Sequence, residues 1–172
     1  VFSHGKGTVE DNVKEAIAKG LSRIAITDHG PTHRAYGIRD LRGYFEAIDA
    51  SRQKYADRIE VLTGVEEILT SIASGISNPE ALLQYDIVII GYHKLVAYTD
   101  SQSAWHFHMR NTFAHKSTRC IEQTTRAYLN ALKTTKIDIL AHPDYGAIAD
   151  WEQIAQVCAK TDTAIEINNC NM

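Results

Sequence analysis

Short apolar runs alternate with amphipathic segments along the whole chain, and that alternation admits few folds. Ile24-Ala25-Ile26-Thr27, Ile59 to Val65, Asp86 to Gly91, Ile137 to Ala141 and Ala164 to Ile167 are each too short to be buried helices. Their largely continuous apolarity is the pattern of strands covered on both faces, as in parallel sheets. Helical patterns fill the intervals. Thr8 reads as an N-cap before Val9-Glu10-Asp11, Val13, Ala16 and Ile17 share a face, and Gly20 fits a stop. A second helix is expected from Asp40 to Tyr55, with Leu41, Tyr44, Phe45, Ile48 and Tyr55 turned inward. Asn78-Pro79-Glu80 reads as a short helix with Asn at the cap, and further helices are expected over Ser117 to Leu132 and Trp151 to Ala159. Repeated β-then-α units imply a parallel sheet or barrel with helices outside. No linker or internal repeat divides residues 1–172, so one α/β domain is expected. The polar, histidine-rich stretch from Tyr98 to Phe113 has no clear assignment.

Charge and composition narrow the function. Eighteen basic against 21 acidic residues give a net charge of −3, and no basic stripe suggests nucleic acid as a partner. The longest aliphatic run, Ile87-Val88-Ile89-Ile90, is far too short to span a bilayer, so no membrane association is expected. The 3 cysteines, Cys120, Cys158 and Cys170, form no Cys-x-x-Cys pair and read as reduced thiols of a cytoplasmic protein. Val1-Phe2-Ser3-His4 lacks an initiator Met and a charged leader, so either the start was processed or the chain begins inside a longer protein.

The informative count is 8 histidines, because of where they fall. Chemistry in parallel α/β folds collects at the carboxyl ends of the strands. His29 ends the first run, Glu66 follows Val65, His93 follows Ile87 to Tyr92, and His142 follows Ile137 to Ala141. Imidazole and carboxylate are ligands that suit zinc, manganese or iron. A carboxylate can also bridge two ions about 3.5–4 Å apart, as in two-metal phosphoesterases. The plain alternative, four separately satisfied residues, requires the same placement four times by coincidence. His4 has no strand before it, and His33 in Pro31-Thr32-His33-Arg34 reads as a solvated loop residue on the substrate side. His106, His108 and His115 read as part of a partner surface or lid rather than a core metal site.

Four ordered stretches resemble the polymerase and histidinol phosphatase (PHP) superfamily: Ile24 to Gly30 with its Thr27-Asp28-His29, Gly64-Val65-Glu66, Gly91-Tyr92-His93 and Ala141-His142-Pro143-Asp144. Val1 to His4 is similar to the residues just after that family's opening His-x-His, and Ala164 to Asn169 to the strand before its final Asp-x-His. The likeness is strongest to stand-alone bacterial hydrolases with three metal ions. It implies a distorted seven-stranded, TIM-like β/α barrel, incomplete here because the first and last strands are absent. It implies two to three divalent ions (Zn²⁺, Mn²⁺ or Fe²⁺) in the intact domain: Glu66 bridging, Glu66, His93 and His142 holding one ion, His4 and His29 helping to hold another. Of the first metal position only Glu66 remains, the second is complete, and the third lacks one ligand.

The same resemblance implies hydrolysis of a small-molecule phosphate monoester, histidinol-phosphatase-like, by a metal-bound hydroxide. Arg34 and Lys94 are the cations placed to reach a phosphate, with ordinary solvated charges as the alternative. Asp28 is placed to orient a ligand, with a turn residue as the alternative. Two other functions remain open: a metal-binding or regulatory domain without catalysis, and a nuclease, which the net charge of −3 disfavours. The segment between His93 and His142 reads as a helical insertion near the site, acting as a lid or a subunit contact. Two exposed edges left by missing strands would favour homo-oligomers.

Overall fold

A computed structural model describes residues 2–94, 96–114, 116–143 and 145–167. His115, Asp144, Asn168, Asn169 and Cys170 lie outside the described residues. Five parallel strands form one sheet in sequential order: β1 (Arg23–Ile26), β2 (Glu60–Ile68), β3 (Ile87–Gly91), β4 (Ile139–Leu140) and β5 (Ala164–Ile165). Each crossover carries helix: α2 (Leu41–Lys54) between β1 and β2, a 3₁₀ turn (Pro79–Gln84) before β3, α3 (Thr118–Thr134) before β4 and α4 (Trp151–Thr161) before β5. The helix α1 (Val9–Ala18) precedes β1. Strands in sequence order with helical crossovers place every strand's carboxyl end on one side of the sheet.

Local chemistry explains the helix starts. Thr8 and Asp11 form a reciprocal capping box: the Asp11 amide donates to Thr8 Oγ1 at 3.1 Å, and the Thr8 amide to Asp11 Oδ2 at 2.9 Å. Asp40, Ser117 and Asp150 cap α2, α3 and α4 in the same sense. Asn78 makes no side-chain cap bond, and the residues after it wind as 3₁₀ with Pro79 at the start. In α2, Tyr44 and Ile48 are buried as expected, whereas Leu41 in the first turn is exposed.

The core has two parts. Val9, Val13, Ala16, Tyr44, Ile48 and Val61 pack α1 and α2 on the β1 side. Val65, Val88, Ile90, Leu140, Tyr128 and Ile154 join β2, β3 and β4 to α3 and α4. Tyr44 ties the first part to the sheet, its hydroxyl 2.6 Å and 2.7 Å from the carbonyl oxygens of Ile26 and Gly64.

Two features depart from the sequence reading. The strand β2 runs on to Ile68, so Glu66 lies within a strand that was expected to end at Val65. The unassigned stretch is helical: one α turn (Ser101–Ala104), a π-helical stretch (Trp105–Arg110) and a last α turn (Asn111–Phe113). It is stitched to the loops that leave the strands. The Tyr92 hydroxyl donates to the Phe107 carbonyl at 3.0 Å, the Ile72 amide to Ser103 Oγ at 3.0 Å, and Asn111 Nδ2 to the Gly146 carbonyl. His106 is fully buried there against Thr124 Oγ1, not part of a surface, while His108 is exposed beside Tyr98.

Candidate metal centre

Glu66 organises the site. Successive residues of a strand face opposite ways, so Glu66 and Glu67 leave β2 on opposite faces. Beyond Ile26 the β1–β2 ladder resumes as a bridge between His29 and Glu66, with the Glu66 amide donating to the Asp28 carbonyl at 3.0 Å and the Gly30 amide to the Glu66 carbonyl at 2.9 Å. That pairing sets His29 Nδ1 3.3 Å from Glu66 Oε2. The other carboxylate oxygen, Oε1, meets His93 Nε2 at 2.8 Å and His142 Nε2 at 3.1 Å. The two imidazole nitrogens are 3.2 Å apart.

These three atoms fit a cation. Adjacent ligands of one ion with bonds near 2.1 Å stand ~3.0–3.4 Å apart, close to the separations seen. Glu66 Oε1 offers lone pairs, and each half-buried Nε2 offers one when it carries no proton, so a divalent ion could take the place of the protons that would otherwise hydrogen-bond to Glu66. A second group of ligand-type atoms, from His29, His33 and His93, also lies within 4.8 Å. Burial holds His29 down to about 4, against the pull of Glu66, with His93, His33 and His4 adding to the lowering. A neutral imidazole of that kind has a lone pair to give. Burial would raise the Glu66 carboxyl, but hydrogen bonds from His142 and His93 outweigh it and keep the group well below the ordinary range.

Backbone shape serves the same corner. His142 has φ +33°, a left-handed conformation rarely adopted by a non-glycine residue. Its amide is fixed by Glu166 Oε2 at 2.5 Å, and its carbonyl accepts from the Tyr145 amide at 3.1 Å. Gly91 leaves room for the His142 ring in this position, since a Cβ there would stand 2.6 Å from His142 Cε1.

His4 is exposed, its ring stacked on that of His29 with centroids 5.2 Å apart. Asp28 orders this side: Oδ1 accepts from the Phe2 amide at 3.0 Å, the Ser3 amide at 2.9 Å and Ser3 Oγ at 2.7 Å. Arg34 and Lys94 are both exposed, and the Lys94 chain runs beside Gly146. His33 is buried, 4% exposed, against the expectation of a solvated loop residue.

Sequence reasoning missed Glu67 and Glu166. Glu67, buried on the far face of β2, accepts from Thr32 Oγ1 and from the Ile68 amide at 3.1 Å, and burial pushes its carboxyl up. A Cβ on Gly30 would strike that carboxylate, so Glu67 and Gly30 seat the His29–His33 loop together. An acidic residue inside an apolar strand was the available signal. Glu166 carries the same signal within Ala164 to Ile167, but its partner, a backbone amide 24 residues away, leaves no mark in the sequence.

The model of the PHP domain family matches residues 1–170. The chain belongs to the PHP domain family. Among curated PHP relatives, a probable phosphatase of Shewanella baltica (strain OS195) is 31% identical over 170 residues, covering 97% of this chain and 58% of that protein. A probable phosphatase of Thermoanaerobacter sp. (strain X514) is 31% identical over 168 residues, covering 96% of this chain and 60% of that protein. The PHP chain thus spans less than two thirds of the length of these relatives. The fold is similar to that of the histidinol phosphate phosphatase from Lactococcus lactis subsp. lactis Il1403, solved with zinc, L-histidinol and phosphate. The TM-score is 0.61 at 20% identity, covering 97% of this chain and 69% of that one. No helix among the described residues of this PHP domain is long and apolar enough to cross a membrane.

Proposed function

We propose that the protein carrying this PHP domain is a metal-dependent phosphoesterase acting on a small-molecule phosphate monoester. The observation that carries the reading is the meeting of Glu66, His93 and His142 within 3.2 Å of one another at the carboxyl ends of three parallel strands. Zinc, manganese or ferrous ions would be held there, with Glu66 Oε2 directed to a neighbouring position shared with His29 and His4. Bound ions supply Lewis acidity, which lowers the pKa of water and neutralises charge on the phosphoryl oxygens.

The chain's own residues do the rest. Glu66 stays ionised and gives one oxygen to each neighbouring group of histidines. His29, neutral near pH 7, offers a lone pair. Glu166 holds the His142 backbone in its strained conformation, which aims Nε2 at Glu66. Arg34 and Lys94 are exposed and so open to an arriving anion. The five parallel strands would form part of the wall of a TIM-like barrel, with the metal-binding side chains at its mouth. The phosphatase reading is supported by the names of the relatives, and the small-molecule substrate by the L-histidinol and phosphate bound in the Lactococcus protein.

The test is release of inorganic phosphate from an aryl phosphate and from histidinol phosphate by the longest natural chain containing this domain. Activity abolished by a chelator and restored by Mn²⁺ or Zn²⁺ is expected. Absence of turnover with every metal tried, in a folded and metal-loaded protein, would leave the non-catalytic metal-binding reading.

A further inference from the structure

His33 lies close enough to the centre to pass for another metal ligand. Its ring stacks on His29 with centroids 4.8 Å apart and meets His93 edge-on at 5.7 Å. Ring nitrogens of the three residues lie within 4.8 Å of one another. The hydrogen bonding of its own loop argues otherwise. The Tyr36 amide donates to His33 Nδ1 at 3.2 Å, so that nitrogen's lone pair is already used. A neutral imidazole has one N–H and one bare nitrogen; with Nδ1 bare and accepting, the proton sits on Nε2. A metal ligand needs a free lone pair on nitrogen, and in this tautomer His33 has none.

The tautomer is built in, not incidental. The His33 amide donates to the Gly30 carbonyl at 3.1 Å, and its own carbonyl accepts from the Gly37 amide at 2.9 Å and from Arg39 Nη2 at 3.2 Å. The Tyr36 amide is therefore presented to Nδ1 by a closed turn, itself seated on Glu67 through Thr32 and Gly30.

We propose that His33 serves the centre as a hydrogen-bond donor and not as a metal ligand, its Nε2–H directed to an oxygen of a phosphate group bound beside His29 and His93. The phosphate half of this assignment rests on the phosphoesterase reading; the donor half rests on the loop geometry alone. A fixed N–H aimed at a phosphoryl oxygen stabilises charge that grows during ester cleavage without having to reorganise.

Two substitutions separate the ring's two nitrogens. Asn places an acceptor where Nδ1 stands and keeps the Tyr36 bond while removing the donor; Gln reaches the position of Nε2 and restores an N–H. In the metal-loaded protein, ¹⁵N NMR of the His33 ring is expected to show a bare Nδ1 and a protonated Nε2. Metal content is expected to be equal in wild type, His33→Asn and His33→Gln. Affinity for inorganic phosphate is expected to fall about tenfold or more in His33→Asn and to stay within about threefold in His33→Gln. Coupling of His33 Nε2 to ¹¹³Cd in a cadmium-loaded sample, or loss of one metal equivalent in His33→Asn, would overturn the donor assignment. Unchanged phosphate affinity in His33→Asn would overturn the phosphate contact. If wild type neither binds phosphate nor hydrolyses an ester, the phosphate half falls with the phosphoesterase reading, and the NMR and metal content still decide donor against ligand.

Discussion

The two sides of the site are built differently. On one side Glu66, His93 and His142 come from paired strands or the first residues after them, where ladder bonds fix the backbone. On the other side His4, His29 and His33 come from the N-terminal segment and one loop, held through side-chain anchors: Asp28 for residues 2–3, Glu67 with Thr32 for the loop. The first side is preorganised mainly by the sheet, with Glu166 fixing the His142 amide; on the second side only His29 has a ladder bridge, to Glu66, and the rest borrows its order from two carboxylates. The strand-borne side should therefore bind metal first and lose it last, a difference that substitutions on either side can expose.

The largest effect is expected from Glu66→Gln, because it removes the negative charge that three histidines share. Metal content should fall on both sides at once, and phosphate release should drop on the order of 10³-fold. Elemental analysis with an aryl phosphate assay reads both quantities. Retention of full metal by this variant would show that the histidines alone define the positions.

Gly91→Ala should damage the strand-borne side selectively. The added methyl would stand 2.6 Å from His142 Cε1, so the ring must turn away from Glu66. Metal affinity at the Glu66–His93–His142 position is expected to weaken about 10–100-fold, as when a ligand's orientation is lost. Asp28→Ala is the converse. It frees Phe2 and Ser3, and with them His4, leaving β2, β3 and β4 untouched. Loss of the His4-side metal with activity reduced about tenfold is expected, while the strand-borne position stays filled. If Asp28→Ala emptied both positions equally, the two sides would be one cooperative unit and the comparison would fail.

The legibility of the two sides in sequence follows from the same difference. Strand ends could be placed because continuous apolar runs mark buried parallel strands, so His29, Glu66, His93 and His142 could be assigned to one mouth. The end of β2 could not, since Glu66-Glu67 breaks the run although both residues remain in the ladder. The role of His33 depends on a turn that returns the Tyr36 amide to its own ring, and that of Glu166 on an amide 24 residues distant. Neither leaves a periodic trace. The insertion between β3 and α3 was opaque for another reason: its inward face carries Ser103, His106 and Asn111, whose polarity hides a buried helix.

That insertion gives the smallest expected effect, and one on stability rather than metal. His106 is fully buried, with Nε2 3.0 Å from Thr124 Oγ1 and, among the described residues, no hydrogen-bond partner at Nδ1. Burial first, and then the neighbouring Arg110, holds its pKa down to about 4 from an ordinary 6.5. The sign follows from proton binding. Between those values the unfolded chain is protonated at this position and the folded chain is not, so acid favours unfolding. The stability His106 contributes is complete above about 6.5 and is lost progressively as pH falls toward 4. For the wild type this amounts to roughly 1–2 kcal/mol between pH 7 and pH 5. His106→Gln keeps a polar group at the Nε2 position facing Thr124 and cannot gain a proton. Urea unfolding at pH 7 and pH 5 should show a smaller acid loss in this variant, with metal content unaltered. An equal acid loss in both proteins would mean that the insertion opens to water before the core does. His106 would then titrate as an exposed group, and the insertion would be a hinged cover over the strand ends instead of part of the packed core.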